Sequence, residues 1–331
     1  MASMNEVAKR AGVSIATVSR VLNNNESVNE DTRNKILAAI KELKYSPSRV
    51  AKRLRSKNGG GNMIGIMIPD ISNPFYVEVL KGIESIAFEQ GYVTIFCNFE
   101  QSEEKETAYL KILESEAIDG LIAASVNDVN PILERMLNAG LPVVCVDRDL
   151  KGVNVDLVQV DNEYGTYNAV SYLIKSGYKR IGYIGGLNTI STSKAREAGY
   201  CRALVESGLE VDESLVLDGD SSLESGASMA EQLLSLTNPP DALFCGNNLL
   251  TLGALKVINR RGIKVPEDIG IVGFDDMAWA SSLNPPLTSV HQPAREIGRR
   301  AGDLLIQRIK NPNRPTAKIV LETELRVRKS C

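Results

Sequence analysis

Residues 6–24 read EVAKRAGVSIATVSRVLNN, and the apolar side chains Val7, Ala8, Ala11, Val18, Val21 and Leu22 recur at the spacing of two short helices interrupted at Gly12-Val13. Gly12 supplies the left-handed backbone that a tight helix exit needs, and Ser14 offers a hydroxyl to cap the helix that follows. A third helix begins at Asn29, because Glu30 and Asp31 favour a helix N-terminus, and Ile36, Ile40 and Leu43 continue it. Three such helices share one small core. On spacing alone, both a DNA reader and an ordinary three-helix bundle with a solvated charged face fit this pattern.

Charge separates this segment from the rest. The stretch SPSRVAKRLRSK at 46–57 follows it, and Met1 to Gly60 hold 12 Lys and Arg against 5 Asp and Glu, a formal +7. The whole chain of 331 residues carries −3, which leaves −10 for the remainder. One end suited to a polyanion and an acidic body with another task are therefore expected. The length fits a small domain plus one or two larger ones, and an apolar fraction of 43% is ample for their cores. No apolar run reaches a membrane span, and Met1, Ala2, Ser3 and Met4 lead into polar residues rather than a secretory signal, so a cytoplasmic protein without a membrane partner is expected. Cys97, Cys145, Cys201, Cys245 and Cys331 form no close pair and read as reduced packing residues, with no metal expected.

From Asn62 onward, short runs rich in β-branched residues alternate with amphipathic stretches. Strands are expected at 63–68, 93–97, 120–124 and 142–146, then near 180–184, 241–245 and 269–274. Helices fall between them, near 75–90, 104–117 and 129–139, and again near 163–176, 193–207, 223–236 and 248–262. The order repeats, giving two α/β units, each a doubly wound parallel sheet. Ligands of such sheets gather at the carboxyl ends of the strands, where this chain places PDISNPFY, DRDL, GNNL and DDMAW. Carboxylates, amides and an arginine there can hold the hydroxyls of a sugar while aromatic rings cover its apolar faces. Asp and Asn at such turns also serve as helix caps, and single residues leave both roles open.

The spelling of the first 57 residues goes further. VAKRAGVSIATVSRVLN, NEDTRNKILAAIKELKYSP and RVAKRLRS resemble the headpiece of the lactose-repressor family of bacterial transcription factors. The resemblance implies a helix-turn-helix headpiece over 1–46 and a hinge helix with a glycine-rich linker over 47–61. The second helix, about Ile15 to Asn23, would lie in the major groove, with Ser14 at its start, Ile15, Ala16 and Arg20 facing base edges, and Thr17, Ser19 and Arg33 nearer phosphates. Arg20 is the expected guanine reader, and Ile15 and Ala16 offer only apolar contact, for instance to thymine methyls. In the hinge, Leu54 matches the family's minor-groove wedge, surrounded by Arg49, Lys52, Arg53 and Arg55. Taken alone, Leu54 also reads as a linker residue packed on the body. Gly59, Gly60 and Gly61 depart from the family's stiffer connector.

The body resembles the type I periplasmic sugar-binding fold of the same family, with a pocket pattern closest to that of ribose-binding proteins. This implies a core N-terminal lobe of 62–161 with 291–323, a core C-terminal lobe of 162–290 with 324–331, and crossings near 161–163, 290–293 and 323–325. Carried over position by position, Asn73, Phe75 and Tyr76 match the first loop, where the two rings would sandwich the sugar. Asp147 and Arg148 match an Asp-Arg pair, Arg196 in KAREAGY a second arginine, and Asn247, Asp275 and Gln292 the remaining polar ligands. Trp279 either closes the pocket or packs elsewhere. Asn248 stands where the family often has Asp, which removes a negative charge from the expected pocket mouth.

No enzyme is indicated. His291 is the single histidine, and the chain has no nucleophile elbow, no phosphate loop and no metal-spaced His, Cys and carboxylate set. The expected protein is a ligand-responsive repressor without a cofactor, acting as a homodimer on double-stranded, pseudo-palindromic operator DNA under control of a monosaccharide, ribose or similar. No leucine heptad precedes Ser330-Cys331, which favours the dimer over a tetramer. The alternative use of such a body, a sugar-binding receptor or transport component, needs a signal peptide and has no use for a +7 headpiece. Unstacking a base step costs a few kcal/mol that the bent complex recovers through contact. Leu54→Ala is therefore expected to lose at least about tenfold in operator affinity in a gel shift while effector affinity is kept.

Overall fold

The structure is a computed structural model and describes residues 3–22, 28–43, 45 and 61–331. It separates into two compact units, Met1–Gly61 and Asn62–Cys331. The expected hinge residues Arg49, Lys52, Arg53, Leu54 and Arg55, and the linker residues Gly59 and Gly60, lie outside the described residues.

In the first unit, α1 (Met4–Ala11), α2 (Ile15–Leu22) and α3 (Glu30–Glu42) enclose a core of Val7, Ala8, Val18, Val21, Ile36 and Ala39. Its ends are capped as the sequence demands. Ser3 and Glu6 form a reciprocal capping box on α1, Gly12 takes a left-handed φ of 68°, and Asn29 Oδ1 accepts from the Thr32 N–H at 2.8 Å. Arg10 grips Glu42 through Nε and Nη2 at 2.8–3.0 Å. Both partners are half exposed and screened by solvent, so this pair adds little, and the apolar core holds the unit together.

The body carries two sheets of matching topology. The first contains β1 (Met63–Ile68), β2 (Val93–Asn98), β3 (Gly120–Ala123), β4 (Val143–Val146), β5 (Asp156–Val160) and β11 (Lys318–Leu321) in the order β2-β1-β3-β4-β5-β11, all parallel. The second contains β6 (Ile181–Gly185), β7 (Val216–Asp218), β8 (Ala242–Cys245), β9 (Gly270–Phe274), β10 (Thr288–His291) and β12 (Glu324–Arg326) in the order β7-β6-β8-β9-β10-β12. Here β12 runs antiparallel to β10, so the second sheet is parallel except at that edge. A continuous apolar run such as MIGIMI is buried along its whole length because helices cover both faces of the sheet.

Those helices are α4 (Pro74–Glu89), α5 (Glu103–Ser115) and α6 (Pro131–Asn138) in the first lobe, and α7 (Asn162–Lys175), α8 (Ser191–Glu206), α9 (Leu223–Leu234) and α10 (Asn248–Arg261) in the second. A last helix, α11 (Ala294–Lys310), returns to the first lobe after β10 and packs along α4. Each sheet thus lies between two apolar layers, and the chain passes between the sheets three times: after β5, after β10 and between β11 and β12. In β4 and at the end of β8, burial pushes the thiols of Cys145 and Cys245 up to about 12, which keeps them as inert packing groups.

Two buried aspartates anchor the returning segments. Asp156, at the start of β5, accepts from Arg308 Nε at 3.0 Å and the Ala317 N–H at 2.8 Å and forms an ion pair with Arg314 Nη2 2.9 Å away, which ties the end of α11 and the start of β11 to the first sheet. Asp276, just after β9, pairs with Arg326 and Arg328 and so holds the C-terminal strand on the second. Burial opposes its charge, but Arg328, Ser289 and Arg326 outweigh it and hold this carboxyl below its ordinary value.

The α4–α11 contact depends on two facing glycines. A Cβ on Gly298 would come within 2.0 Å of the Val79 carbonyl oxygen, and one on Gly82 within 2.2 Å of the Arg295 oxygen. These are rigid backbone atoms, so a methyl forces the helices apart. Gly298→Ala is expected to destabilise the body by about 1–3 kcal/mol in urea unfolding.

Candidate ligand pocket and nucleic-acid interface

The carboxyl ends of both sheets face one polar cavity. Asn73 caps α4 directly after β1, its Oδ1 accepting the Phe75 N–H at 2.9 Å, and Phe75 and Tyr76 follow in the first turn. Asp147 and Asp275 occupy equivalent places after β4 and β9, with left-handed φ angles of 65° and 72°. Only a few per cent of non-glycine residues adopt such backbone, and here it occurs at the same place in both lobes. Arg148, Arg196, Asn247 and Gln292 complete the set, and all nine positions expected from the sequence line this cavity.

Most polar atoms here are already held. Arg148 Nη1 donates to the Ser125 oxygen at 2.9 Å and Nη2 to Gln101 Oε1 at 3.1 Å, while its Nε, 3.9 Å from Asp147 Oδ2, is buried with no hydrogen-bond partner among the described residues. Arg196 donates to Asn162 Oδ1 at 2.8 Å and to the Gly246 oxygen, with its guanidinium 3.9 Å above the Phe274 ring. A buried cation over an aromatic face contributes up to about 2 kcal/mol, which fixes the direction of that side chain. Gln292 donates to Asp275 Oδ1 and leaves its own Oε1 buried and unmatched among the described residues. Asn247 caps α10 and donates to the Ser221 oxygen at 3.2 Å, so its capping role coexists with a place in the cavity wall.

The geometry differs from expectation in two respects, the ring pair and the place of Asn248. Phe75 and Tyr76 meet each other edge to face, with centroids 5.1 Å apart and planes at 73°, so no slot for a sugar lies between them. The Tyr76 hydroxyl donates to Asp147 Oδ2 at 2.8 Å, and burial pushes its pKa well above the ordinary phenol value, so it acts as a neutral donor. Asn248 is buried beside Asp275 rather than at the mouth. Trp279 faces away, into a separate groove with Ile71, Val77 and Met277. The cavity also contains Gln101, Tyr183, Thr192, Ser193 and Ser221, which the sequence did not single out. Gln101 follows the edge strand β2 in left-handed backbone, and Ser221 follows a strand of only three residues. Neither segment carries a strong periodic signal.

In the first unit, α2 is capped at its start and exposes one face. Ser14 Oγ accepts the Thr17 N–H at 3.2 Å and lies 2.8 Å from the Thr17 hydroxyl, which caps α2. Val18 and Val21 point into the core, leaving Ser14, Ile15, Ala16 and Arg20 exposed and Thr17 and Ser19 half-buried. Ile15 is 47% exposed, unusual for a large apolar side chain and available to a partner surface. Arg33 sits half-buried in the first turns of α3.

Comparison with known proteins agrees with both units. Residues 3–48 match the bacterial regulatory proteins of the lacI family, and residues 61–326 match the periplasmic binding proteins and sugar binding domain of the LacI family. The HTH-type transcriptional regulator DegA of Bacillus subtilis strain 168 is 38% identical over 328 residues, covering 98% of this chain and 96% of that protein. The HTH-type transcriptional repressor PurR of Photobacterium profundum is 34% identical over 332 residues, covering 100% and 98%. Among solved structures, the complex of the regulator CelR with cellobiose aligns with a TM-score of 0.76 and 32% identity over all of both chains. A Lac repressor dimer bound to operator and the anti-inducer ONPF aligns with a TM-score of 0.87 and 27% identity over 99% and 98%.

Asp275 yields a prediction that needs no ligand. Burial raises its pKa, with Asp147 adding to the effect and Arg196, Gln292 and the Asn248 N–H opposing it. A carboxyl raised in the folded state contributes stability below its unfolded pKa and loses it as pH rises through the folded value. Asp275→Asn removes this dependence. Thermal unfolding should therefore show the variant gaining on the wild type as pH climbs from about 3.5 toward 8, whatever constant offset the amide introduces.

Proposed function

The chain belongs to the LacI family of bacterial regulatory proteins, and from that membership we infer that it is a cytoplasmic repressor whose operator affinity is set by a small sugar held between its two lobes. It is a helix-turn-helix transcriptional regulator and not an enzyme. Among the described residues no helix is long and apolar enough to cross a membrane.

On DNA, the protein acts as a homodimer over a pseudo-palindromic operator, a reading supported by the similar Lac repressor dimer bound to operator. Arg20 reads guanine through its planar fork, a pair that contributes about 1–3 kcal/mol of discrimination. Ile15 and Ala16 contact thymine methyls, Ser14, Thr17, Ser19 and Arg33 position the helix against the backbone, and Leu54 wedges the minor groove between Arg49, Lys52 and Arg55.

The observation that carries the effector reading is the balance of the cavity. Two arginines and two aspartates converge on it, with Arg148 Nε and Gln292 Oε1 buried and without hydrogen-bond partners among the described residues. A neutral molecule whose groups both donate and accept meets this arrangement, which is the chemistry of a sugar hydroxyl. The similarity to a regulator solved with cellobiose supports a carbohydrate. A monosaccharide is favoured, ribose first, with Asn73, Phe75, Tyr76, Asp147, Arg148, Arg196, Asn247, Asp275 and Gln292 as its contacts. Closure of the lobes around it changes how two subunits meet, and operator affinity changes by as much as the affinities for open and closed arrangements differ.

Calorimetry with a panel of pentoses and hexoses tests this. D-ribose should give saturable heat that Arg148→Ala abolishes, and the same sugar should alter a salt-sensitive gel shift on a two-fold symmetric duplex. Absence of heat from every pentose and hexose refutes the sugar reading.

A further inference from the structure

We propose that Asn248 is a positioning residue that bridges the two lobes behind the effector cavity, its side-chain amide joining Asn73 of the first lobe to Asp275 of the second. The proposal deepens the effector reading, since it names what holds the closed arrangement.

Asn248 Nδ2 lies 2.7 Å from Asn73 Oδ1 and 3.2 Å from Asp275 Oδ2, and its backbone N–H points at the same carboxylate oxygen at 3.4 Å. Both neighbours face it with oxygens placed as acceptors. Asn73 must present its oxygen, because that atom already accepts the Phe75 N–H, and Asp275 uses its other oxygen for Gln292. The atom between two acceptors must therefore carry two hydrogens, which a primary amide nitrogen does, a hydroxyl does not and a carboxylate cannot. Nor does the helix need this residue. Asn247 already caps α10, and the first helical position accepts nearly any side chain. Asn248 nevertheless is 1% exposed and leaves its own Oδ1 buried with no partner among the described residues, a cost that only a second role offsets.

The bridge also reaches the ligand side. Asn73 starts the turn that carries Phe75 and Tyr76, and Tyr76 bonds Asp147, so the amide aligns the first lobe's aromatic pair and carboxylate with the second lobe's Asp275. A second interlobe contact, Lys194 to Asp128 at 3.5 Å, has its lysine half exposed and is screened by solvent. The buried bridge is the stronger tie, and because it forms only when the lobes are together it shifts their equilibrium toward closure.

Hydrogen exchange of the full-length chain without sugar tests the bridge from the opposite lobe. Besides Asp275, the charged groups facing it are Arg196 from α8 and Asp147 after β4. Asn248→Ala should raise exchange at the Phe75 and Tyr76 amides about tenfold at both pH 8 and pH 5, since loss of the tie frees the first-lobe turn. Asn248→Asp keeps a residue favoured at a helix N-terminus, and at pH 8 it sets two carboxylates against a carbonyl. It should give about the same tenfold rise at pH 8 but at most about threefold at pH 5, where the carboxyl pair shares a proton and regains a donor. Unchanged exchange at Phe75 and Tyr76 in both variants, or an Asn248→Asp effect equal at the two pH values, overturns the proposal. In parallel, D-ribose titrated into the Asn248→Ala protein should bind about tenfold more weakly than to wild type. If wild type itself gives no heat with D-ribose, the effector reading loses support while the exchange result still decides the bridge.

Discussion

A carboxylate removed from water has to be met by donors, and Asp275 organises the body around that demand. It sits 4% exposed at the end of β9 on left-handed backbone, where Gln292 from the crossover, the side chain and N–H of Asn248, and the N-terminal end of α10 all point at it. These donors come from separate parts of the chain, so meeting the charge fixes the crossover, a helix and, through Asn73, the other lobe in one arrangement. Its charge is still only partly compensated, as its raised pKa shows. A hydroxyl-bearing ligand can complete what the protein leaves undone.

Asp156 and Asp276 show the opposite solution. Each is a buried aspartate with two arginines and further hydrogen bonds, and each ties a late segment of the chain to an early sheet. Removing one partner of such a cluster is costly, typically about 3–5 kcal/mol, while the intact cluster adds little net stability. Such clusters specify where α11, β11 and β12 return. The chain thus uses one chemical group in two ways, saturated where it locks topology and unsaturated where it faces the cavity.

Much of this could be read in one dimension. The headpiece helices, their caps and their buried face follow from local periodicity, because a helix face is set within a few residues, while the outward set of Ile15, Ala16 and Arg20 came from the family resemblance. The central strands of both sheets were legible from apolar continuity, and the polar residues after them marked the cavity wall. The strands missed were those with weak or mixed patterns: β5 opens on the buried Asp156, β7 and β12 have three residues each, and β10 has four. Trp279 stayed open between two roles because four residues of separation from Asp275 say nothing about direction once the backbone has turned through a left-handed residue.

The sequence by itself determined the two-part organisation, the repeated α/β order and the polar segments that wall one cavity, since these rest on period, charge and the polar ends of buried strands, while the nine particular positions came from the family resemblance. Only the tertiary structure decided which of their atoms remain to be satisfied. It turned Phe75 and Tyr76 edge to face, used Asn247 as a cap, added Gln101 and Ser221, and placed Asn248 between the lobes. The physical reason is that hydrogen-bond satisfaction is a property of neighbours. Asn73 and Asn248 are 175 residues apart in the chain, and nothing local to either one reveals that a single amide nitrogen must serve both lobes.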